Sequence, residues 1–154
     1  MKPSAYSSAP LHLNSFETFS HDEHVECSKR FFLSAMLNLF DNSIYWLERK
    51  AKSLKKVNSD FEKKILIDLI KEKDNKISVL VADNGNGFTL PTSKIIKPFI
   101  TAKDEGMGLG LHITNQIMKV IEGKLLFPEK GTYNLPEEFA NGAIIVFQFK
   151  QKTI

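Results

Sequence analysis

A chain of 154 residues, 42% hydrophobic and 25% charged, has the length and composition of one globular domain with its own core. The formal net charge is only +3, and many of the 21 Lys and Arg residues fall between Lys50 and Lys76 among acids, which reads as a solvated surface and not as the denser basic stripe of a nucleic-acid binder. A single cysteine, Cys27, excludes an internal disulfide, no Cys/His cluster has zinc spacing, no apolar run reaches the roughly 18 residues of a membrane span, and no signal-peptide core follows Met1, so a reducing cytoplasm is the expected setting.

Up to about residue 24 the chain is rich in Ser, Pro and His with scattered aromatics. Residues 1–27 are therefore expected to be a linker or lead-in segment, as at the cut edge of a longer protein, and 28–154 the domain proper. His12, His21 and His24 read as exposed linker histidines. Residues 28–53 carry a helical pattern, with Leu33, Met36, Leu37, Phe40, Ile44 and Leu47 at steps of three and four forming one apolar stripe. Two short runs rich in Ile, Leu and Val, 64–70 and 77–82, read as strands joined by the polar turn Glu72-Lys73-Asp74-Asn75. Gly85 and Gly87 end the second strand, and Pro91 and Pro98 bracket a loop with room for a short helix. After Gly110 helical spacing returns: Leu111, Thr114, Ile117, Met118 and Ile121 share a face, and Gly123 is a natural stop. A short strand at 124–127, a polar insertion at 134–141 and an alternating closing strand from Ala143 to Phe149 complete the order. Strands that adjoin in pairs, with helices set apart, predict a two-layer α/β sandwich.

Four segments bear on chemistry. Asn38 and Asn42 are four residues apart on the first helix, so their amides emerge on one side, and an amide carbonyl is a hard oxygen ligand suited to Mg²⁺. Asp83 ends a strand before Gly85 and Gly87; its carboxylate can accept a hydrogen bond from an exocyclic amine such as adenine's, and the glycines let backbone pass close to a flat ring. Thr101 and Lys103 stand just before a glycine loop, where a lysine can reach a terminal phosphate as a mobile point charge. The loop itself, Gly106-Met107-Gly108-Leu109-Gly110-Leu111, opens a helix whose free N–H groups attract phosphate. It is neither a P-loop, which needs Gly-Lys-Ser/Thr, nor the dinucleotide G-x-G-x-x-G. A glycine run alone carries little; four such elements in this order point to an ATP site.

Together they resemble the ATP-binding catalytic domain of sensor histidine kinases, in the superfamily that includes DNA gyrase, Hsp90 and MutL. Asn38-Leu39-Phe40-Asp41-Asn42-Ser43 is similar to the N box, and Asp83-Asn84-Gly85-Asn86-Gly87 to the G1 box D-x-G-x-G. Pro98-Phe99-Ile100-Thr101-Ala102-Lys103 is similar to the F box, and Gly106 to Leu111 matches the G2 box G-x-G-L-G-L. The resemblance covers about residues 28–150. It implies a Bergerat-type α/β fold with a mixed sheet, and ATP held between the helices under a flexible lid. It also implies that Asn42 holds Mg²⁺ with Asn38 beside it near the phosphates, and that Asp83 binds the adenine amino group directly and through water. Gly85 and Gly87 would shape the adenine pocket; Gly106, Gly108, Leu109 and Gly110 would line the phosphates. Thr101 and Lys103 would lie on the lid side, with Asn38 and Lys103 as the catalytic residues.

The implied function is transfer of the γ-phosphoryl group of Mg-ATP to a histidine on a separate dimerisation domain or partner, by a domain that is monomeric in isolation. Three departures stand out. Many of these kinases have a phosphate-touching lysine three residues after the second N-box Asn, where this chain has Tyr45, with Arg49 or Lys50 as possible substitutes a turn later. Only Lys103, Asp104 and Glu105 lie between the Ala102 of the F box and Gly106, so the lid is short. No segment has the His-Glu-x-x-x-Pro pattern of the phosphoacceptor. The ATPase branches commonly carry Glu where Asn38 stands, and an amide cannot take a proton from water at neutral pH. A nucleotide-sensing module or an ATPase without histidine phosphotransfer is the alternative reading.

Overall fold

The computed structural model describes residues 25–57 and 59–151, so His12, His21, His24 and most of the expected lead-in segment lie outside the described residues. Helix α1 spans Lys29–Lys55. Its buried face shares Met36 and Leu47 with the expected stripe but is otherwise shifted. Ala35, Met36, Leu39, Ser43 and Leu47 are buried, whereas Leu33, Leu37 and Ile44 are about half exposed or more. Both sets satisfy helical spacing. Small residues at 35 and 43 let the buried face lie close to its neighbours, and close packing decides between faces of similar hydrophobicity.

Strands β1 (Ile65–Glu72) and β2 (Lys76–Asp83) form an antiparallel hairpin with Glu72 opposite Lys76 and Ile65 opposite Asp83. In the connecting turn Asp74 and Asn75 take left-handed backbone, φ 60° and 53°, which these two residue types tolerate better than most. The short helix α2 (Thr92–Ile95) occupies the loop between the prolines, as expected. Helix α3 (Gly110–Val120) follows, then β3 (Lys124–Leu126), a 3-10 turn at Glu137–Phe139, and β4 (Ile144–Lys150).

The sheet order is β1-β2-β4-β3, and every pairing in it is antiparallel. The two-layer α/β architecture holds, and among the described residues the sheet is wholly antiparallel where a mixed one was expected. The reason is topological. β2 and β3, joined through α3, do run parallel, but β4 inserts between them and pairs with both. No parallel ladder forms among these four strands.

β4 separates two apolar layers by strand alternation. Ile145, Phe147 and Phe149 face α1 and α3, where they pack with Met36, Leu39 and Met118. Ile144 and Val146 face the other way with Leu80, Ala82 and Phe139. The segment expected as a polar insertion is thus amphipathic. Phe139 is buried, and Tyr133 and Leu135 pack against the same layer, so the insertion caps the sheet face that the helices leave open. Among the described residues no helix is long and apolar enough to cross a membrane.

Candidate functional site

A cleft of about 370 Å³ opens where the middle of α1, the end of β2, the start of α3 and the loop from Phe99 to Gly108 meet. That volume is within the usual range for small-molecule sites. Asn38, Asn42, Asp83, Gly87, Thr101, Lys103, Gly106, Gly108, Leu109 and Gly110 all line it. Of the residues expected to bind nucleotide or metal, Gly85 alone does not line it.

Asp83 closes the inner end. It is 3% exposed, and Oδ1 accepts hydrogen bonds from the Gly85 amide at 2.9 Å and the Ala143 amide at 3.2 Å. Oδ2 accepts from the Ser43 hydroxyl at 3.0 Å and retains a second lone pair. Three donors from three segments fix one carboxylate before any ligand arrives. Gly85 contributes through its amide and through its lack of a side chain, since a Cβ there would stand 2.8 Å from Asp83 Oδ1. Gly142 has a harder constraint: a Cβ would fall 1.5 Å from the Asp83 carbonyl oxygen.

The turn after Asp83 is held equally well. The buried Asn84 side chain accepts from the Lys64 amide and donates to the Glu62 carbonyl, both at 2.8 Å. Lys50 Nζ donates to the carbonyls of Asn84 and Gly85 at 2.7 and 3.1 Å, with its ammonium 4.7 Å from the centroid of the Phe61 ring. Lys50 therefore braces the wall. Arg49 turns to Tyr45 and Asp104, and neither cation is among the residues that line the cleft. The substitution expected for the missing lysine is not what the geometry provides.

The outer end is built from α3 and the loop before it. An α-helix leaves its first N–H groups without partners and carries a partial positive charge there, so the start of α3 favours an anion. Gly106 and Gly108 have φ of 150° and 66°, conformations that side-chain-bearing residues rarely take. At Gly108 a Cβ would lie 2.7 Å from the Ile100 carbonyl oxygen, and the Gly108 carbonyl accepts from the Phe99 amide at 3.1 Å. The loop is thereby closed at its base. Thr101 Oγ1 accepts from the Lys103 amide at 3.0 Å, which shapes the lid backbone. Lys103 is partly buried; desolvation lowers its pKa below the usual lysine value, opposed by the nearby Tyr45 and by the Asp41 carboxylate.

Sequence reasoning missed Ser43, Ala143 and Gly142 as partners of Asp83, and Asp41 and Trp46 as cleft residues. Ser43 had a signal, a polar residue in phase with Leu39 and Leu47 on the buried face. Ala143 and Gly142 had none, because their role depends on a strand sixty residues away from Asp83 in the chain.

Comparison with known proteins bears on the family and the fold. A Rickettsia conorii protein named as an NtrY-like sensor histidine kinase is 27% identical over 148 residues, covering 92% of this chain but only 22% of its own length. The chain thus spans about a fifth of that relative. The solved structure of the mycobacterial sensor histidine kinase MprB superposes with a TM-score of 0.60 at 19% identity, over 86% of this chain and 78% of that one. Full-length ShkA in complex with AMPPNP superposes with a TM-score of 0.56 at 20% identity, over 80% of this chain and 22% of that one. At those identities the structures speak for the fold. The model of the histidine kinase-, DNA gyrase B- and HSP90-like ATPases matches residues 28–153, and the chain belongs to that family.

Proposed function

We propose that this domain binds Mg-ATP in the cleft and passes the γ-phosphoryl group to a histidine carried by a separate dimerisation domain or partner protein. The observation that carries the reading is the convergence, in one cleft, of a pre-fixed buried carboxylate at Asp83, two amides from α1 and the glycine-flanked start of α3. In this reading Asp83 Oδ2 accepts from the adenine amino group, and the amides of the glycine loop with the start of α3 take the phosphates. In-line phosphoryl transfer asks a protein mainly for positioning and charge stabilisation, and these groups supply both.

The donor set suits magnesium. Asn38, Asp41 and Asn42, whose side chains carry hard oxygens, line the cleft, while among the described residues no group of three or more His, Cys, Asp or Glu gathers to hold a metal alone. A cation bound there would share its shell with phosphate oxygens and water, as Mg²⁺ commonly does. Asn42 and Asn38 would hold it, and it would neutralise developing charge on the phosphates.

Calorimetric titration of ATP with and without Mg²⁺, on the wild type and Asp83→Asn, tests the reading. The Asn carbonyl can still accept from the Gly85 and Ala143 amides and its amino group can donate to Ser43, so the variant should fold. Its ATP affinity should fall about tenfold or more, because a donor now faces the adenine amino group. Unchanged affinity in the folded variant would remove Asp83 from the site. Phosphoryl transfer to an added histidine-bearing dimerisation domain then separates a kinase from a domain that only senses nucleotide.

A further inference from the structure

Tyr45 touches the lid in two ways. Its hydroxyl accepts hydrogen bonds from the Asp104 amide at 3.2 Å and from Arg49 Nη1 at 3.3 Å. Arg49 Nη1 also donates to Asp104 Oδ2 at 2.6 Å. Its ring lies under Lys103, whose Nζ is 4.7 Å from the ring centroid. Lys103 is the one partly buried residue in a stretch whose neighbours Ala102 and Asp104 are exposed, and it lines the cleft beside Asn38, Asp41 and Asn42.

A lysine on so exposed a loop would ordinarily extend its ammonium into water. An aromatic face draws it back, because the ring quadrupole attracts a cation at this distance. Fixing a lysine side chain loses rotamer entropy, and a contact that fixes it in the free protein removes that cost from the binding step. The Arg49–Asp104 pair is exposed and by itself contributes little to stability. Its value here is geometric, since it holds the residue after Lys103 against α1.

We propose that Tyr45 is a positioning residue that keeps the Lys103 ammonium in the cleft for the terminal phosphate of the nucleotide, so that the cation comes from the lid and not from α1. This rests on the reading of the cleft as an ATP site.

The test compares calorimetric affinities for ATP, ADP and adenosine across wild type, Lys103→Ala, Tyr45→Leu, Tyr45→Phe and the Lys103→Ala/Tyr45→Leu double variant. Lys103→Ala and Tyr45→Leu should each lower the ratio of ATP to adenosine affinity by about tenfold, leaving adenosine binding unchanged. Tyr45→Phe keeps the ring and should stay within about threefold of wild type. The double variant should be no weaker than Lys103→Ala, because Tyr45 acts through Lys103. Additive losses, or an equal fall for adenosine and ATP in Tyr45→Leu, would mean a merely structural role and overturn the proposal. So would an unchanged ratio in either single variant. A wild type that binds no ATP would instead overturn the reading of the cleft itself.

Discussion

At the inner end of the cleft Asp83 and Asn84 are 3% and 6% exposed, and both are held by hydrogen bonds to other segments of the chain. At the lid Phe99 and Met107 are both 75% exposed, and the loop is secured at its base by Phe99–Gly108 and farther out by Tyr45 and Arg49 on Asp104. The inner end is part of the core and must form when the domain folds. The lid can rearrange without disturbing that core, because few buried contacts are lost when it moves. A site that closes over a ligand needs both: a fixed wall that recognises, and a loosely held edge that opens.

Substitutions can break this contrast or sharpen it. The largest effect is expected at Gly142→Ala, where a Cβ would overlap the Asp83 carbonyl. A loss of about 3 kcal/mol or more, seen as a lowered urea midpoint, is expected, and an unchanged midpoint would show that the wall can shift after all. Ser43→Ala removes one of three donors to Asp83 and should cost about 1–2 kcal/mol in the same measurement. A wild-type midpoint would mean that the other two donors suffice.

Gly108→Ala places a Cβ against the Ile100 carbonyl in left-handed backbone, a local strain of about 1–3 kcal/mol. Because the strain sits in the loop over the cleft, the global unfolding free energy should fall by less than about 1 kcal/mol. Proteolysis within 99–108 should instead accelerate and ATP affinity fall. A drop as large as that of Gly142→Ala would erase the distinction between wall and lid.

Much of the cleft's lining was legible in the sequence because its elements are local. Asn38 and Asn42 need only helical spacing, and the loop from Gly106 to Gly110 needs only its own glycines and the helix after it. What was not legible depends on long-range packing. The buried face of α1 was misjudged because Leu33, Leu37 and Ile44 look more core-like than Ala35 and Ser43, and close approach between layers reversed that preference. The antiparallel sheet was missed because spacing along the chain does not say that β4 enters between β2 and β3. Burial of Phe139 was hidden by the polar residues around it. The role of Tyr45 was invisible for a different reason: as a departure from the resembling kinases it reads as a loss, and only its contacts with Lys103, Arg49 and Asp104 show what stands in that place.

The insertion of β4 between β2 and β3 has a consequence for the order in which this domain becomes competent. Asp83 takes one of its donors from Ala143 and lies against Gly142, residues that lead into the last described strand to leave the ribosome. A nascent chain that has made α1, β1, β2 and α3 carries every motif named in the sequence and still lacks a finished pocket. Contacts of such long range form slowly relative to local ones. Nucleotide, binding only the completed form, would then act as a folding checkpoint that favours chains in which the sheet has closed.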